Sequence, residues 1–277
     1  MVAGLPFGCE RIVLVDEGKE VMVERVIAAL LVCTALGGWA VRRVAGNDVD
    51  NARQHWTKYL VYLALVVIWV TAILLDGAVY LAGGMVLAGF LEFIHATVNN
   101  KPSVFKAIPM LLLFGLASSW LVDFVSHAPV DYILTVYTMV VVMDAFSQLS
   151  GQLFGRHRIS NISPNKTWEG LVGGYLATCV AFFVMTWKLD VARGLKPVYE
   201  MDARLFWNGL AFALLLCLFS FAGDMTASWY KRVCGIKDYS SLLKGQGGVL
   251  DRYDSLLAMG MFYQCAVYLD LCPHFPS

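Results

Sequence analysis

The sequence predicts an all-α polytopic membrane protein, and three observations support this fold class. Of the 277 residues, 58% are hydrophobic and only 15% are charged, whereas about 25% of the residues in a soluble domain are charged. The apolar residues lie in long continuous blocks, and a helix needs about 20 such residues to cross a bilayer. Strands of a membrane barrel would instead show short segments of alternating polarity.

Eight apolar blocks are long enough to serve as transmembrane helices. They lie at residues 26–41, 58–75, 77–97, 104–125, 130–150, 170–189, 205–223 and 254–272. Helices are expected because each span must satisfy its own backbone hydrogen bonds in lipid. No repeat or low-complexity tract divides the chain, so we interpret residues 1–277 as a single domain.

Some of these blocks carry or follow charges that a simple membrane anchor does not need. The first block, 26–41, follows several acidic residues, which is untypical of a signal peptide, so it is interpreted as a retained span. Glu92 lies near the end of span 77–97, and Asp144 lies well inside span 130–150. A carboxylate inside a membrane is costly, so Asp144 is a functional candidate; the alternative is a span-end carboxylate that faces the loop.

The distribution of Lys and Arg predicts the orientation of the chain. Loops on one side carry about twice as many of these residues as loops on the other, and the more basic side faces the cytoplasm. This side includes the two long polar loops, 151–169 and 224–253. We therefore expect cytoplasmic catalytic loops, both termini outside, and a location in a bacterial inner membrane.

Net charge and cysteine spacing argue against two other kinds of site. The formal net charge is zero, whereas nucleic-acid binding needs a basic face that neutralises phosphates. The seven cysteines form no CxxC pair and no cluster with histidine at zinc-binding spacing. We therefore expect no nucleic-acid partner and no zinc site.

The densest polar stretch, 223–254, combines carboxylates, cations and glycines. The carboxylates are Asp224, Asp238, Asp251 and Asp254, the cations are Lys231, Arg232, Lys237, Lys244 and Arg252, and the glycines are Gly245, Gly247 and Gly248. Carboxylates that share a site repel one another, and Mg²⁺ relieves this repulsion while it binds substrate phosphates. Cations and glycine N–H groups then cover the remaining phosphate charge. The stretch favours a site for a nucleoside triphosphate and a lipid phosphate; the alternative is a solvated loop whose charges pair internally.

Helix geometry predicts how these side chains are grouped. If the preceding span continues as a helix to residue 233, Asp224 and Lys231 share one face. A second helix that starts near Leu250 would place Asp251 and Asp254 on neighbouring positions of its surface.

A second polar motif precedes span 170–189. Lys166 is suited to bind a phosphate as a point charge, and Ser163 and Thr167 offer hydroxyl groups. Ser163 is also placed to cap the helix that follows, and Trp168 suits the membrane–water interface. The alternative is a capped helix start with an interfacial anchor, which accounts less well for Lys166.

These motifs resemble those of the phosphatidate cytidylyltransferase family. The family signature has S, two residues, KR, four residues and KD, followed by a glycine pair and an acidic DR-x-D end. The matching residues are Ser228, Lys231-Arg232, Lys237-Asp238, Gly247-Gly248 and Asp251-Arg252-x-Asp254. The stretch 163–170 resembles the family's SPxKTWEG element, and the motifs together cover residues 144–254. The chain departs from the pattern at Gln246, where the family has His, and at Ala227 and Lys244.

The resemblance implies that a cytidylyl group moves from CTP to phosphatidate or a related lipid phosphate, giving CDP-diacylglycerol and pyrophosphate. It implies a metal site for Mg²⁺ at Asp224, Asp251 and Asp254, with a second cation left open. The implied catalytic residues are Asp224, Asp251, Lys231 and Arg232. The implied substrate-binding residues are Ser163, Lys166, Thr167, Lys237, Asp238, Gly247, Gly248, Arg252 and Asp144. Membrane lipids are expected partners, and a homodimer is left open.

Three alternatives remain open at this point. A related enzyme would use CTP on another lipid, as a polyprenol kinase does, and the residues at Ala227 and Gln246 leave room for it. An ion-coupled transporter would use Asp144, Glu92 and Asp224 as an ion path, but it leaves the spacing of the KR, KD and DR pairs unexplained. A degenerate paralogue would act as a scaffold without turnover.

Overall fold

A computed structural model describes most of the motif-bearing part of the chain. The described residues are 49–160, 162–192, 203–240, 242 and 247–269, with short pieces between 26 and 42. The predicted span 26–41 is therefore described only in short pieces, and these pieces are helical. Lys244, Gly245 and Gln246, which belong to the glycine loop of the sequence motif, lie outside them as well.

The described residues fold into helices, as predicted. From residue 49 onward the described helices are α1 (Val49–Leu74), α2 (Ala78–Asn100), α3 (Val104–His127), α4 (Val130–Phe154), α5 (Trp168–Ala192), α6 (Ala203–Val233) and α7 (Leu250–Tyr268). The one β-type pairing among the described residues is an isolated bridge between Arg158 and Thr167. The all-α fold class is thus confirmed.

Five of these helices are long and apolar enough to cross a membrane. Their spanning segments are Ala78–Asn100, Val104–His127, Val130–Phe154, Trp168–Thr186 and Phe206–Val233. A shorter apolar segment, Tyr59–Leu74, lies within α1. The chain is therefore a multi-pass membrane protein, and the number of eight spans stays a prediction.

Two helices form the centre of the bundle. Helix α4 contacts α1, α5, α6 and α7, and α7 contacts α2, α3, α4 and α6. In α4 every residue from Tyr132 to Met143 is buried, as expected for a helix that is apolar on all sides. Helix α7 is buried along most of its length from Leu250 to Phe262. It therefore packs inside the protein, which explains how the predicted span 254–272 tolerates polar residues in its first turns.

Helix directions collect the polar motifs at one end of the bundle. The short connections 75–77, 101–103 and 128–129 make α1 to α4 run alternately up and down. The C-terminal ends of α2, α4 and α6 then lie at the same end as the N-terminal ends of α5 and α7. We call this the motif end of the bundle.

Helix α6 continues beyond the predicted span 205–223 to Val233, which meets the condition under which Asp224 and Lys231 share a face. It has 31 residues, which corresponds to about 46 Å, whereas the hydrocarbon core is about 30 Å thick. Its last turns therefore leave the apolar layer and carry Asp224 and Lys231 on one face. Helix α7 begins at Leu250, before the predicted span 254–272, and Tyr253 has non-helical backbone angles (φ −128°, ψ 18°) that interrupt its first turns. Asp251 and Asp254 therefore do not follow regular helical spacing.

Candidate active site

Asp251 is the most completely bonded carboxylate of the site. Its Oδ1 accepts a hydrogen bond from Lys231 Nζ at 2.7 Å, and its Oδ2 accepts the backbone N–H groups of Tyr239 and Gly248, each at 2.8 Å. The Asp251 side chain is 1% exposed and that of Lys231 13%. A carboxylate offers about four lone-pair positions, so these three bonds leave one position on Oδ1 for a further ligand.

The glycine pair allows the loop to close around Asp251. Gly247 has φ +84°, in the left-handed region that glycine adopts without strain. A Cβ atom on Gly247 would lie 2.6 Å from Asp251 Oδ2, and one on Gly248 would collide with the carboxylate of Glu92. The two glycines are therefore required where the backbone passes between two carboxylates.

Lys166 joins the second motif to α6. Its Nζ lies 2.6 Å from Asp224 Oδ2, and the two side chains are 28% and 19% exposed. Burial lowers the pKa of Lys166, but the carboxylates of Asp224 and Asp144 raise it more, so the net pKa lies above the ordinary lysine value. Lys166 is therefore a firmly protonated ammonium group, as a phosphate ligand must be.

Asp144 and Asp254 complete the cluster. Asp144 lies close enough to Lys166 and Asp224 to interact with their charges, and it lies near Ser255 of α7. Asp254 interacts electrostatically with Asp224, Lys231 and Asp144, and its Oδ1 accepts the N–H of Ser255 at 2.8 Å. The structure thus places Asp144, predicted as a functional intramembrane carboxylate, inside the site.

The cluster carries a surplus of negative charge. Four carboxylates (Asp144, Asp224, Asp251 and Asp254) stand against two ammonium groups, which leaves two negative charges when all are ionised. Among the described residues, no ion pair includes Asp144 or Asp254. Buried oxygen donors without a cation are the ligands that a hard divalent ion prefers.

The structure tests the metal assignment only through this donor set. No three His, Cys, Asp or Glu side chains in the described part of the chain form a ready-made metal site. Mg²⁺ usually takes one or two protein carboxylates and completes its shell with water and substrate phosphates. One or two of the clustered carboxylates, such as Asp224 and Asp254, are therefore enough for Mg²⁺, and its binding at Asp224, Asp251 and Asp254 stays a prediction.

The loop before α5 is held by a pair of side chains from its two ends. Glu169 Oε2 accepts the backbone N–H groups of Arg156 and His157 at 3.1 and 3.2 Å, and Glu169 Oε1 lies 2.6 Å from His157 Nδ1. Backbone bonds from Ile159 to Lys166 and from Trp168 to His157 close the loop into a narrow turn. These bonds fix the backbone of Lys166 beside α6.

The cap of α5 differs from the sequence expectation. Thr167 Oγ1 accepts the backbone N–H of Gly170 at 3.1 Å, which is the bond of an N-cap residue to the third helical position. Ser163 lies too early to cap a helix that begins at Trp168; its carbonyl accepts the N–H of Lys166. The expectation that Ser163 caps this helix is therefore wrong, and its role in substrate binding stays a prediction.

Several predicted site residues lie on the rim rather than in the cluster. Arg232 is exposed and donates to the carbonyl of Ile236 at 3.3 Å, which closes the end of α6. Lys237 and Asp238 are exposed in the loop that follows, and Arg252 is exposed in the first turn of α7. Their roles in phosphate binding and catalysis stay predictions.

Two residues outside the predicted set support the site. Tyr239 is buried, donates its N–H to Asp251 and its hydroxyl to the Ala227 carbonyl at 3.3 Å, and lies with its ring centroid 5.6 Å from Lys231 Nζ. Glu92 of α2 contacts the loop that precedes α7. The sequence shows Glu92 as a charged residue near the end of a span, but no local pattern indicates which residues it contacts.

The fold and the site define a class of protein before any comparison is made. A multi-pass helical bundle places two lysine–aspartate pairs, one largely buried and one partly exposed, and further carboxylates at one end. This arrangement is that of a membrane enzyme that handles phosphates.

Comparisons with known proteins place the chain in a family. The model of the cytidylyltransferase family matches residues 19–270. A phosphatidate cytidylyltransferase of Helicobacter pylori is 31% identical over 239 residues, which cover 84% of this chain and 81% of that protein. One from Staphylococcus aureus is 35% identical over 127 residues, 46% of this chain and 45% of that protein. A chloroplastic one from Arabidopsis thaliana is 35% identical over 149 residues, 54% of this chain and 34% of that protein. The chain belongs to the cytidylyltransferase family.

Proposed function

We propose that this chain transfers the cytidylyl group of CTP to phosphatidate, giving CDP-diacylglycerol and pyrophosphate. The observation that carries the proposal is the convergence of Lys166–Asp224 and Lys231–Asp251 with Asp144 and Asp254 at one end of the bundle. The family match and the names of the relatives supply the nucleotide and the acceptor.

In the proposed reaction Lys166 binds a phosphate group directly, and Lys231 adds its positive charge beside it while it stays paired with Asp251. A phosphate oxygen of the acceptor attacks the α-phosphorus of CTP. The bond between this phosphorus and the oxygen that bridges to the β-phosphorus breaks, and pyrophosphate leaves with the electron pair of that bond. The acceptor phosphate is already ionised at neutral pH, so no general base is needed to activate it. Such transfers depend mainly on positioning and on neutralisation of charge. Lys166 and Lys231 supply two positive charges, and the exposed Arg232, Lys237 and Arg252 are placed to steer anions to the rim.

We propose that Asp224, Asp251 and Asp254 hold Mg²⁺ when the nucleotide is bound. The ion would neutralise charge that develops on the phosphates. Asp251 has the fixed orientation that its two backbone N–H bonds impose. Asp224 is the more accessible carboxylate, because its side chain is 19% exposed and its ion-pair partner, Lys166, is 28% exposed.

We propose that the motif end of the bundle faces the cytoplasm of a bacterial inner membrane, with eight spans in the whole chain. The described residues at this end include the basic residues Lys101, Lys106, Arg156, Arg158 and Lys237, whereas those at the opposite end include Lys188 and Arg204. This asymmetry follows the rule that basic loops face the cytoplasm.

We propose that the acceptor lipid approaches from the side, between α4 and α5. A groove between these helices is lined mainly by apolar side chains, among them Phe154, Trp168, Val172 and Leu176. Trp168 is 55% exposed and follows Lys166 by two residues, so an acyl chain in the groove would place its headgroup near the ammonium group.

The decisive experiment follows the fate of separate phosphorus atoms of CTP. The purified protein is given phosphatidate and CTP that is radiolabelled on either the α- or the γ-phosphorus. Cytidylyl transfer labels the lipid from α-labelled CTP and releases the γ-label as pyrophosphate. A lipid kinase would label the lipid from γ-labelled CTP only, and polyprenol serves as the alternative acceptor. Absence of label in lipid from both nucleotides, under conditions where a relative is active, would refute the proposal.

A further inference from the structure

Glu92 connects α2 to the start of α7. Its Oε1 accepts the Ser240 hydroxyl at 2.7 Å and the backbone N–H of Val249 at 3.0 Å, and its Oε2 accepts the N–H of Leu250 at 2.8 Å. Both carboxylate oxygens are thus occupied by groups that lie about 150 residues further along the chain; the separations are 148, 157 and 158 positions.

These bonds satisfy helix N–H groups that have no partner within the helix. The first N–H groups of an α-helix lack intrahelical acceptors and are usually capped by a nearby side chain. Val249, at the cap position of α7, makes no side-chain cap bond and has helical backbone angles (φ −62°, ψ −46°). Glu92 supplies the acceptors from another helix, and its negative charge suits the positive end of the α7 dipole.

The same carboxylate confines the glycine turn that orients Asp251. Gly248 donates its N–H to Asp251 Oδ2 at 2.8 Å, while a Cβ on Gly248 would collide with Glu92. The backbone at this residue is therefore held between the two carboxylates. Ser240, which directly follows the second N–H donor of Asp251, is held by Glu92 as well.

We infer that Glu92 is a positioning residue: through the glycine turn, the start of α7 and Ser240 it sets the direction of the Asp251 carboxylate. This inference rests on the proposed function, because Asp251 matters to turnover only if the site transfers a cytidylyl group. Glu92 makes no hydrogen bond to Lys166 or Lys231, so its effect on these groups is indirect, and Asp251, which the glycine turn orients, is the nearest route.

The test compares Glu92→Gln with Asp123→Asn as a matched control. Glutamine keeps the shape of Glu92, but it has one acceptor oxygen in place of two and turns an NH₂ group toward N–H donors. Asp123 of α3 is likewise a carboxylate that accepts a bond from α7, from Gln264 Nε2 at 2.8 Å, but at the opposite end of that helix. Both variants remove one charge and weaken one α7 contact.

Hydrogen exchange measures the positioning independently of activity. In Glu92→Gln we expect amides in the segments 239–240 and 247–252 to exchange about tenfold faster than in the wild type, because local opening becomes easier. Asp123→Asn should leave these segments unchanged. Turnover at saturating CTP should fall about ten- to a hundredfold in Glu92→Gln, as is typical when a group that orients a ligand is removed, and less than about threefold in Asp123→Asn.

Each outcome decides the inference. Unchanged hydrogen exchange in Glu92→Gln would show that Glu92 does not hold these segments. Faster exchange with normal turnover would show that it does not position Asp251 for the reaction. Glu92→Asp, which keeps the charge, should recover part of the lost turnover; recovery no better than with glutamine would also count against the role. If the wild type transfers no cytidylyl group, the proposed function fails and the positioning role with it, while the exchange data still decide whether Glu92 holds the turn.

Discussion

Replacing Asp251 by Asn tests how much of the site depends on one buried carboxylate. Asn can direct its single oxygen to the N–H groups of Tyr239 and Gly248, but its NH₂ group then faces Lys231, a donor against a donor. The loss of one charge-assisted hydrogen bond costs about 1.5–3 kcal/mol. Because the Asp251 side chain is 1% exposed, water cannot replace it. We expect a lower unfolding temperature and a loss of turnover of roughly a thousandfold.

A double-mutant cycle separates the ion pair from its surroundings. Asp251→Asn, Lys231→Met and the double variant are compared with the wild type by chemical unfolding in detergent. Directly interacting residues show coupling energies of about 0.5–3 kcal/mol, and we expect a value in the upper half of this range because both side chains are largely buried. Asp123→Asn is the control for loss of a carboxylate that is 47% exposed. A coupling energy near zero, or normal turnover in a folded Asp251→Asn variant, would refute this reasoning.

Three further predictions follow from the geometry. Gly248→Ala should lower the free energy of unfolding by about 1–3 kcal/mol and reduce turnover, because the added Cβ meets the Glu92 carboxylate. In Gly83→Ala the added Cβ meets nothing within 4 Å, so stability and turnover should stay unchanged or stability should improve. The raised pKa of Lys166 means that the stabilisation from its charge is complete below pH 10.5 and is lost as the pH rises through its higher folded-state value, so above about pH 10.5 the wild type should lose stability more steeply than Lys166→Met; an equally steep loss in the variant would contradict it. In a background without other cysteines, Arg158→Cys should resist an impermeant thiol reagent on intact cells and Asp76→Cys should react; the reverse pattern would overturn the orientation.

The helices were predictable from the sequence where a pattern within the segment itself indicates them. The apolar blocks predicted α2, α3 and α4 to within a few residues, whereas the end of α6 at Val233 and the start of α7 at Leu250 entered the sequence argument only as conditions. For α2, α3 and α4 the signal lies in the segment itself, because a span must be apolar and a helix surface has a fixed period.

The parts that depend on contacts between distant segments could not be predicted. Nothing near Glu92 indicates that its partners are Ser240, Val249 and Leu250. The interior position of α7 was not visible either, because a buried helix and a lipid-facing helix are both apolar. Even the cap of α5 was assigned to the wrong residue, since Ser163 and Thr167 are both chemically suited and only the helix start decides between them.

The two lysine–aspartate pairs differ in a way that suggests a division of roles. Ion pairs taken out of water rarely stabilise a protein relative to apolar side chains of similar size, so their presence in this bundle points to chemistry. Lys231–Asp251 is the more buried pair, and two backbone N–H groups fix its carboxylate; exchange of its partner for a substrate would disturb the fold. Lys166–Asp224 is more exposed, and among the described residues Asp224 has no second ion pair. An arriving phosphate can therefore draw Lys166 away at lower cost, which leaves Asp224 open to a cation. We expect the first pair to hold the geometry and the second to respond to the substrate.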